Sequence, residues 1–150
     1  MSQENVEIVR RNYSLFRDTW KRVKAGDDLS TSPLWELWGR DAVIVEIADL
    51  PDTDTYRGHE GIVQWWMNWS EAFEDACLEP QGDFLTHGDH VVVQTHQRFL
   101  SKMGIEVDQD ITHVFTLRDG KLVYATGYRD RAKALEAVGL SEQDAHADSG

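Results

Sequence analysis

Cysteine, basic charge and long apolar runs are all scarce in this sequence, and each shortage argues against a class of function. The single cysteine, Cys77, excludes an intramolecular disulfide and a cysteine-rich zinc site. With 15 Lys+Arg against 27 Asp+Glu and a net charge of -12, the chain lacks the basic stripe that a phosphate backbone requires. That argues against nucleic acid and disfavours anionic membrane surfaces. No apolar run approaches membrane-spanning length, and Met1–Asn12 is polar, unlike a signal peptide. A soluble, cytoplasmic protein is the expectation. His59, His87, His90, His96 and His146 form no metal-ligand spacing. The GHEG of 58–61 has no strand-to-glycine loop before it, and there is no G-x-S-x-G nucleophile motif. Chemistry without a cofactor or a metal is therefore expected.

What is present is a globular chain of 150 residues, 41% hydrophobic and 28% charged, long enough for one domain with a buried core. The most informative stretch is Gly104 to Asp130, which reads as a long strand, a tight turn and a second long strand. From Val107 to Phe115 the residues alternate with period two. Val107, Gln109, Ile111, His113 and Phe115 share one face; Asp108, Asp110, Thr112, Val114 and Thr116 share the other. The first face is apolar with a histidine at its centre, so His113 stands in a dry wall. Such a group is either a satisfied core residue or the working part of a cavity.

The remaining elements follow from periodicity and turn signals. Val6, Val9, Tyr13, Phe16, Trp20 and Val23 make one continuous stripe, predicting a single helix over 3–25. Ser32-Pro33 reads as a cap and first position of a short helix, Leu34–Trp38, stopped by Gly39. Asp41–Ala48 is an apolar strand interrupted by Glu46, and Leu50–Arg57 is a loop. A third helix runs from about Gly58 to Ala76, with Ile62, Trp66, Trp69 and Phe73 on its stripe. Four strands follow, Leu78–Thr86, His90–Lys102, Ile105–Leu117 and Lys121–Arg129, with short antiparallel joins. A last helical segment, Arg131–Val138, precedes an acidic, disordered tail over 141–150. One domain over 1–140 is expected, in which helices pack on the concave side of a curved sheet.

Three segments, SQENVEIVRRNYSLF, YRGHEGIVQWW and HVFTLRDGKLVYATGYRDRAKALEAVGL, resemble the nuclear transport factor 2-like superfamily, and within it the SnoaL-like, polyketide cyclase-like branch. The resemblance implies an α+β fold: a cone-shaped half-barrel of curved, mostly antiparallel sheet with three N-terminal helices on its concave face. It also implies a deep pocket and a homodimer through the sheet face. Against the steroid delta-isomerase pattern, Glu46 falls at the position of the carboxylate base and His113 at that of the protonated acid. The first-helix tyrosine of that pattern would fall near Thr19 or Trp20, so it is missing here. The same comparison aims Arg129 inward.

Each candidate carries a plain structural alternative. Glu46 is a general base with a raised pKa, or a buried carboxylate in an ion pair. His113 donates to a substrate oxygen, or bonds a carbonyl inside the core. Arg129 clamps an anionic ligand or neutralises Glu46; otherwise it pairs with Asp130 or turns outward. Gln109 orients a ligand carbonyl, or is a satisfied amide. All six tryptophans fall in the predicted helices, with Trp65 and Trp66 pointing to different sides of theirs. Trp20 and Trp65 are the pocket-lining candidates, with Phe115 beside His113 on the dry face. Three readings stay open: an isomerase- or cyclase-like enzyme acting on a hydrophobic carbonyl compound, a non-catalytic binder of small hydrophobic molecules, and a dimerisation module.

Overall fold

The stripe from Val6 to Val23 folds as two helices laid end to end, α1 (Ser2–Ser14) and α2 (Phe16–Lys24), rather than as one. The computed structural model describes residues 2–143. Residues 144–150 of the expected tail, His146 with them, lie outside the described residues. Across the junction the backbone ladder continues: the Leu15 N–H donates to Arg11 O at 3.1 Å and the Thr19 N–H to Leu15 O at 3.0 Å. The amphipathic phase therefore survives, and Val9, Tyr13, Phe16 and Trp20 are all buried.

Ser32 caps the next element, its hydroxyl accepting from the Leu34 N–H at 3.2 Å with Pro33 in first position. That element is a single 3-10 turn, Pro33–Glu36. Trp38, expected in the helix, instead opens strand β1 (Trp38–Val45). The expected loop over Leu50–Arg57 ends in strand β2 (Thr55–Arg57), which pairs antiparallel with β1. Helix α3 (Gly58–Ala72) stops short of Phe73. The Phe73 ring stacks on Trp69 and Phe99, and these contacts hold it at the start of strand β3 (Phe73–His87) rather than on the helical stripe.

Strands β4 (His90–Ser101), β5 (Glu106–Arg118) and β6 (Lys121–Tyr128) follow β3 in antiparallel succession. Between β5 and β6, Asp119 and Gly120 both have positive φ, 53 and 76. That is the two-residue hairpin turn which Asp-Gly favours. The architecture is α+β, with a six-stranded, curved, unclosed sheet of order β2-β1-β6-β5-β4-β3 in which only β1 and β6 are parallel.

The α1–α2 pair and α3 cover the inner face and share the main core with it. The three separate N-terminal helices expected are thus two blocks. Helix α4 (Arg131–Ala137) covers part of the outer face, with the Asp130 carboxylate accepting from the Ala132 N–H at 2.9 Å as its cap. Beneath it a second small core forms from Leu85, Val92, Val114, Ala134, Leu135 and Val138. Thr112 and Val114, on the side of β5 read as mostly polar, are only 2% and 4% exposed.

Candidate active site

Two cross-strand rows build the inner face. The register pairs Ile44 with Ala125, and Ala125 with Phe115. Two residues further along β6, Gly127 pairs with His113, and Glu46 comes just after the Val45–Thr126 pair. The two-residue repeat thus aligns Glu46, Gly127 and His113 across β1, β6 and β5. Gly127 keeps this second row open. A Cβ there would stand 2.8 Å from Ile111 Cγ2 and 3.4 Å from both the Glu46 carbonyl oxygen and His113 Cδ2.

The helices roof these rows over a cavity of about 250 Å³. Its walls are largely aromatic, with Phe16, Trp20, Trp65, Trp66, Trp69 and Phe99 among them. No Lys or Arg occurs among the described lining residues. Glu46, His113, Trp20, Trp65, Gln109 and Phe115 all line this one cavity. Trp66 lines it too, which corrects the expectation that adjacent indoles point apart: the two rings meet edge to face, centroids 5.1 Å apart.

Arg129 is a correction of a different kind. Its side chain is exposed and outside the lining. The Asp49 carboxylate accepts from the backbone N–H of Arg129 at 3.0 Å and of Asp130 at 2.9 Å. These bonds turn the chain off the inner face toward α4 before Arg129 can reach Glu46.

Glu46 is half-buried, and desolvation pushes its carboxyl above the usual carboxylate range. The Trp69 indole works against that rise, while the nearby Asp54 charge adds to it. Trp69 Nε1 is buried without a hydrogen-bond partner of bonding geometry. Its N–H therefore favours the Glu46 charge by proximity and remains available to an acceptor.

His113 lines the cavity and is largely withdrawn from solvent. That desolvation lowers its pKa to about 4, so the ring is neutral at physiological pH. Nδ1 lies 2.8 Å from the Tyr13 hydroxyl and 3.0 Å from that of Thr95, and the two hydroxyls are 2.7 Å apart. Burial pushes the Tyr13 phenol upward, so it stays a hydroxyl. On the other side, Nε2 stands 3.5 Å from Gln97 Nε2, and Gln97 Oε1 accepts from Gln109 Nε2 at 2.9 Å. A polar chain thus runs from the interior to the exposed Gln109.

Four members of this site escape the sequence reading: Tyr13, Trp69, Thr95 and Gln97. No tyrosine stands at Thr19 or Trp20, where the steroid delta-isomerase comparison would place one; Tyr13, earlier on the same stripe, is the tyrosine that meets His113. Its signal was its phase in the apolar stripe. Thr95 and Gln97 alternate along β4 with Gln94, His96 and Arg98, and that alternation is the signal that could have found them. Nothing local marks the unpaired N–H of Trp69, which depends on how α3 meets the sheet.

The chain matches no curated protein. Solved structures of the same fold include a nuclear transport factor 2-like protein of unknown function from Burkholderia pseudomallei, at TM-score 0.67 and 19% identity over 91% of this chain and 98% of that one. TerC, co-crystallised with polyporic acid, aligns at TM-score 0.68 and 24% identity over 90% and 97% of the two chains. A hypothetical protein with a ketosteroid isomerase-like fold from Catenulispora acidiphila, in complex with trimethylamine, aligns at 0.63 and 18% over 91% and 95%. At these identities the likeness is one of fold. Residues 17–125 match the family model described as a SnoaL-like domain, and the chain accordingly belongs to the SnoaL-like family.

Proposed function

We propose that this protein catalyses cofactor-free proton transfer on a small hydrophobic carbonyl compound, with an isomerisation or an intramolecular cyclisation as the outcome. The observation that carries this reading is Glu46, a half-buried carboxylate opening on an aromatic cavity of about 250 Å³. Desolvation raises its basicity toward the range useful at neutral pH. The fold family includes polyketide cyclases and ketosteroid isomerase-like proteins, and TerC holds polyporic acid. Both agree with a ligand that is small and carries oxygen.

In this reading the Glu46 carboxylate takes a proton from the carbon beside the carbonyl. The C–H electrons move into an enolate, and negative charge develops on the oxygen. His113, neutral and facing the cavity, donates a hydrogen bond to that oxygen without the cost of a buried cation. Trp69 is a positioning residue whose N–H steadies the Glu46 charge. The proton then returns from Glu46 to another carbon; or the enolate carbon attacks a second carbonyl in the same molecule, the C=O π electrons move to that oxygen, and the alkoxide takes back the proton that Glu46 abstracted. The absence of Lys and Arg from the described lining favours an uncharged ligand.

The test needs no knowledge of the natural substrate. Small aromatic ketones such as 2-tetralone exchange their α-hydrogens in deuterium oxide, and NMR follows the loss of signal. The protein accelerates this exchange, and Glu46→Gln lowers the acceleration about 10²- to 10⁴-fold, the usual contribution of a positioned base. Acceleration that survives Glu46→Gln in full sinks Glu46 as the base, and no acceleration by the unmodified protein leaves ligand binding without turnover as the better reading.

A further inference from the structure

Every hydrogen-bonding partner of His113 can act as donor or as acceptor. Nδ1 meets two hydroxyls, Tyr13 at 2.8 Å and Thr95 at 3.0 Å. Nε2 meets only the Gln97 amide, at 3.5 Å, long for a hydrogen bond. A histidine tautomer is set by what its other nitrogen bonds, often a backbone carbonyl or a carboxylate. Neither touches this ring among the described residues. A fixed acceptor, Val93 O, stands one step removed, 3.5 Å from the Thr95 hydroxyl.

Two proton arrangements therefore satisfy the chain with the same heavy-atom positions. In the first, Gln109 Nε2 donates to Gln97 Oε1 at 2.9 Å, the Gln97 amide N–H faces His113 Nε2, and the imidazole proton sits on Nδ1. Nδ1 then donates to a hydroxyl, and the Nε2 lone pair, met only loosely by the Gln97 N–H at 3.5 Å, accepts from a ligand hydroxyl instead. In the second, both amides are turned over and Gln97 Oε1 faces His113. The proton sits on Nε2, and the Tyr13 hydroxyl donates to Nδ1. Amide turnover exchanges oxygen and nitrogen at nearly identical positions, so the outer end of the chain, Gln109, chooses between the two.

The geometry points to His113 as a contact of reversible polarity, governed by Gln97 and Gln109, through which the pocket receives one ligand oxygen either as a carbonyl or as a hydroxyl. This inference rests on the reading of the cavity as a site for carbonyl compounds. It narrows the substrate class to compounds in which the same oxygen passes between keto and enol or phenol forms. A donor locked in place would favour the carbonyl, the stronger acceptor, over the hydroxyl form, and a bare acceptor would take the hydroxyl form alone. Gln97 and Gln109 are then specificity-determining residues that need never touch the reacting carbon.

Gln109 is exposed at the edge of the cavity, so it can be changed without disturbing the core. In Gln109→Glu the new carboxylate only accepts. Gln97 must turn its N–H toward it and its oxygen toward His113, which fixes the proton on Nε2. In Gln109→Lys the ammonium only donates, which holds the Gln97 oxygen away from His113 and leaves Nε2 bare. Nitrogen-15 NMR of the labelled histidines reads the tautomer directly in the ligand-free protein. Tryptophan fluorescence reads the affinities of an uncharged matched pair, 1-tetralone for the carbonyl and 1-naphthol for the hydroxyl.

The expected result is opposite tautomers in the two variants. The ratio of the two affinities shifts about tenfold toward tetralone in Gln109→Glu and about tenfold toward naphthol in Gln109→Lys, the order of one mismatched buried hydrogen bond. A charge effect alone would move both neutral ligands together. The same tautomer in both variants overturns the inference, and so does an unchanged affinity ratio. Because the tautomer is read without turnover, a failure of the Glu46→Gln test leaves this result standing, and the two claims fail separately.

Discussion

His113 and His96 stand on neighbouring strands of one sheet and face opposite ways. His113, on the inner face, has no charged partner among the described residues and is desolvated, and its pKa falls to about 4. His96, on the outer face, is held between two carboxylates, with Nε2 3.0 Å from Asp108 and Nδ1 2.8 Å from Asp110. Its pKa rises, chiefly through the hydrogen bonds to Asp110 and Asp108. The same side chain is thus a neutral hydrogen-bonding group on one side and a titrating surface cation on the other. The difference lies in what the α1–α2 pair and α3 cover.

Acid unfolding sharpens the contrast most. The unfolded chain protonates His113 near pH 6.5, whereas the folded chain keeps the ring neutral down to about pH 4. The stability this contributes is complete above pH 6.5 and is lost as the pH falls through that window, by roughly 3 kcal/mol at the limit. Urea denaturation of His113→Gln at several pH values is expected to show a shallower loss of stability over the same range. An unchanged slope means that the ring already titrates normally in the native state.

Gly127→Ala comes next in size. The new methyl meets Ile111 Cγ2 at 2.8 Å between Glu46 and His113, and overpacking of this kind costs about 1–3 kcal/mol. Both the denaturation midpoint and the affinity for aromatic ketones should drop. Loss of stability with affinity intact would show that the row between the two side chains is not where the ligand sits.

His96→Gln has the smallest effect and the opposite sign. Because the folded pKa is raised, the stability from its carboxylate partners is present below pH 6.5 and is lost as the pH rises through the folded value. Its removal flattens the pH dependence on the alkaline side of that window and leaves cavity binding unchanged, which titrations at two pH values can check. A change in ligand affinity would break the separation of the two faces.

The alternation from Val107 to Phe115 made the facing of His113 legible, because a strand must send successive side chains to opposite faces. Glu46 was legible as an interruption in an apolar run. What stayed hidden depends on contacts made at long range. The Tyr13–Thr95–His113 cluster joins residues 82 and 100 positions apart in the chain, and no local pattern fixes how α1 lies across the sheet. The outward turn of Arg129 follows from Asp49, 80 residues earlier. The dry patch at Thr112 and Val114 exists only because α4 folds back over it. Periodicity gives the phase of an element, and packing decides what covers each phase.

The most direct test of the central claim is the rate of catalysed α-hydrogen exchange in 2-tetralone as a function of pH. With Glu46 as the base, the rate is low in acid and rises to a plateau through an apparent pKa above the ordinary value of 4.5. A profile that is flat through this range, or that falls as the pH rises, would contradict the assignment of Glu46 as a desolvated base.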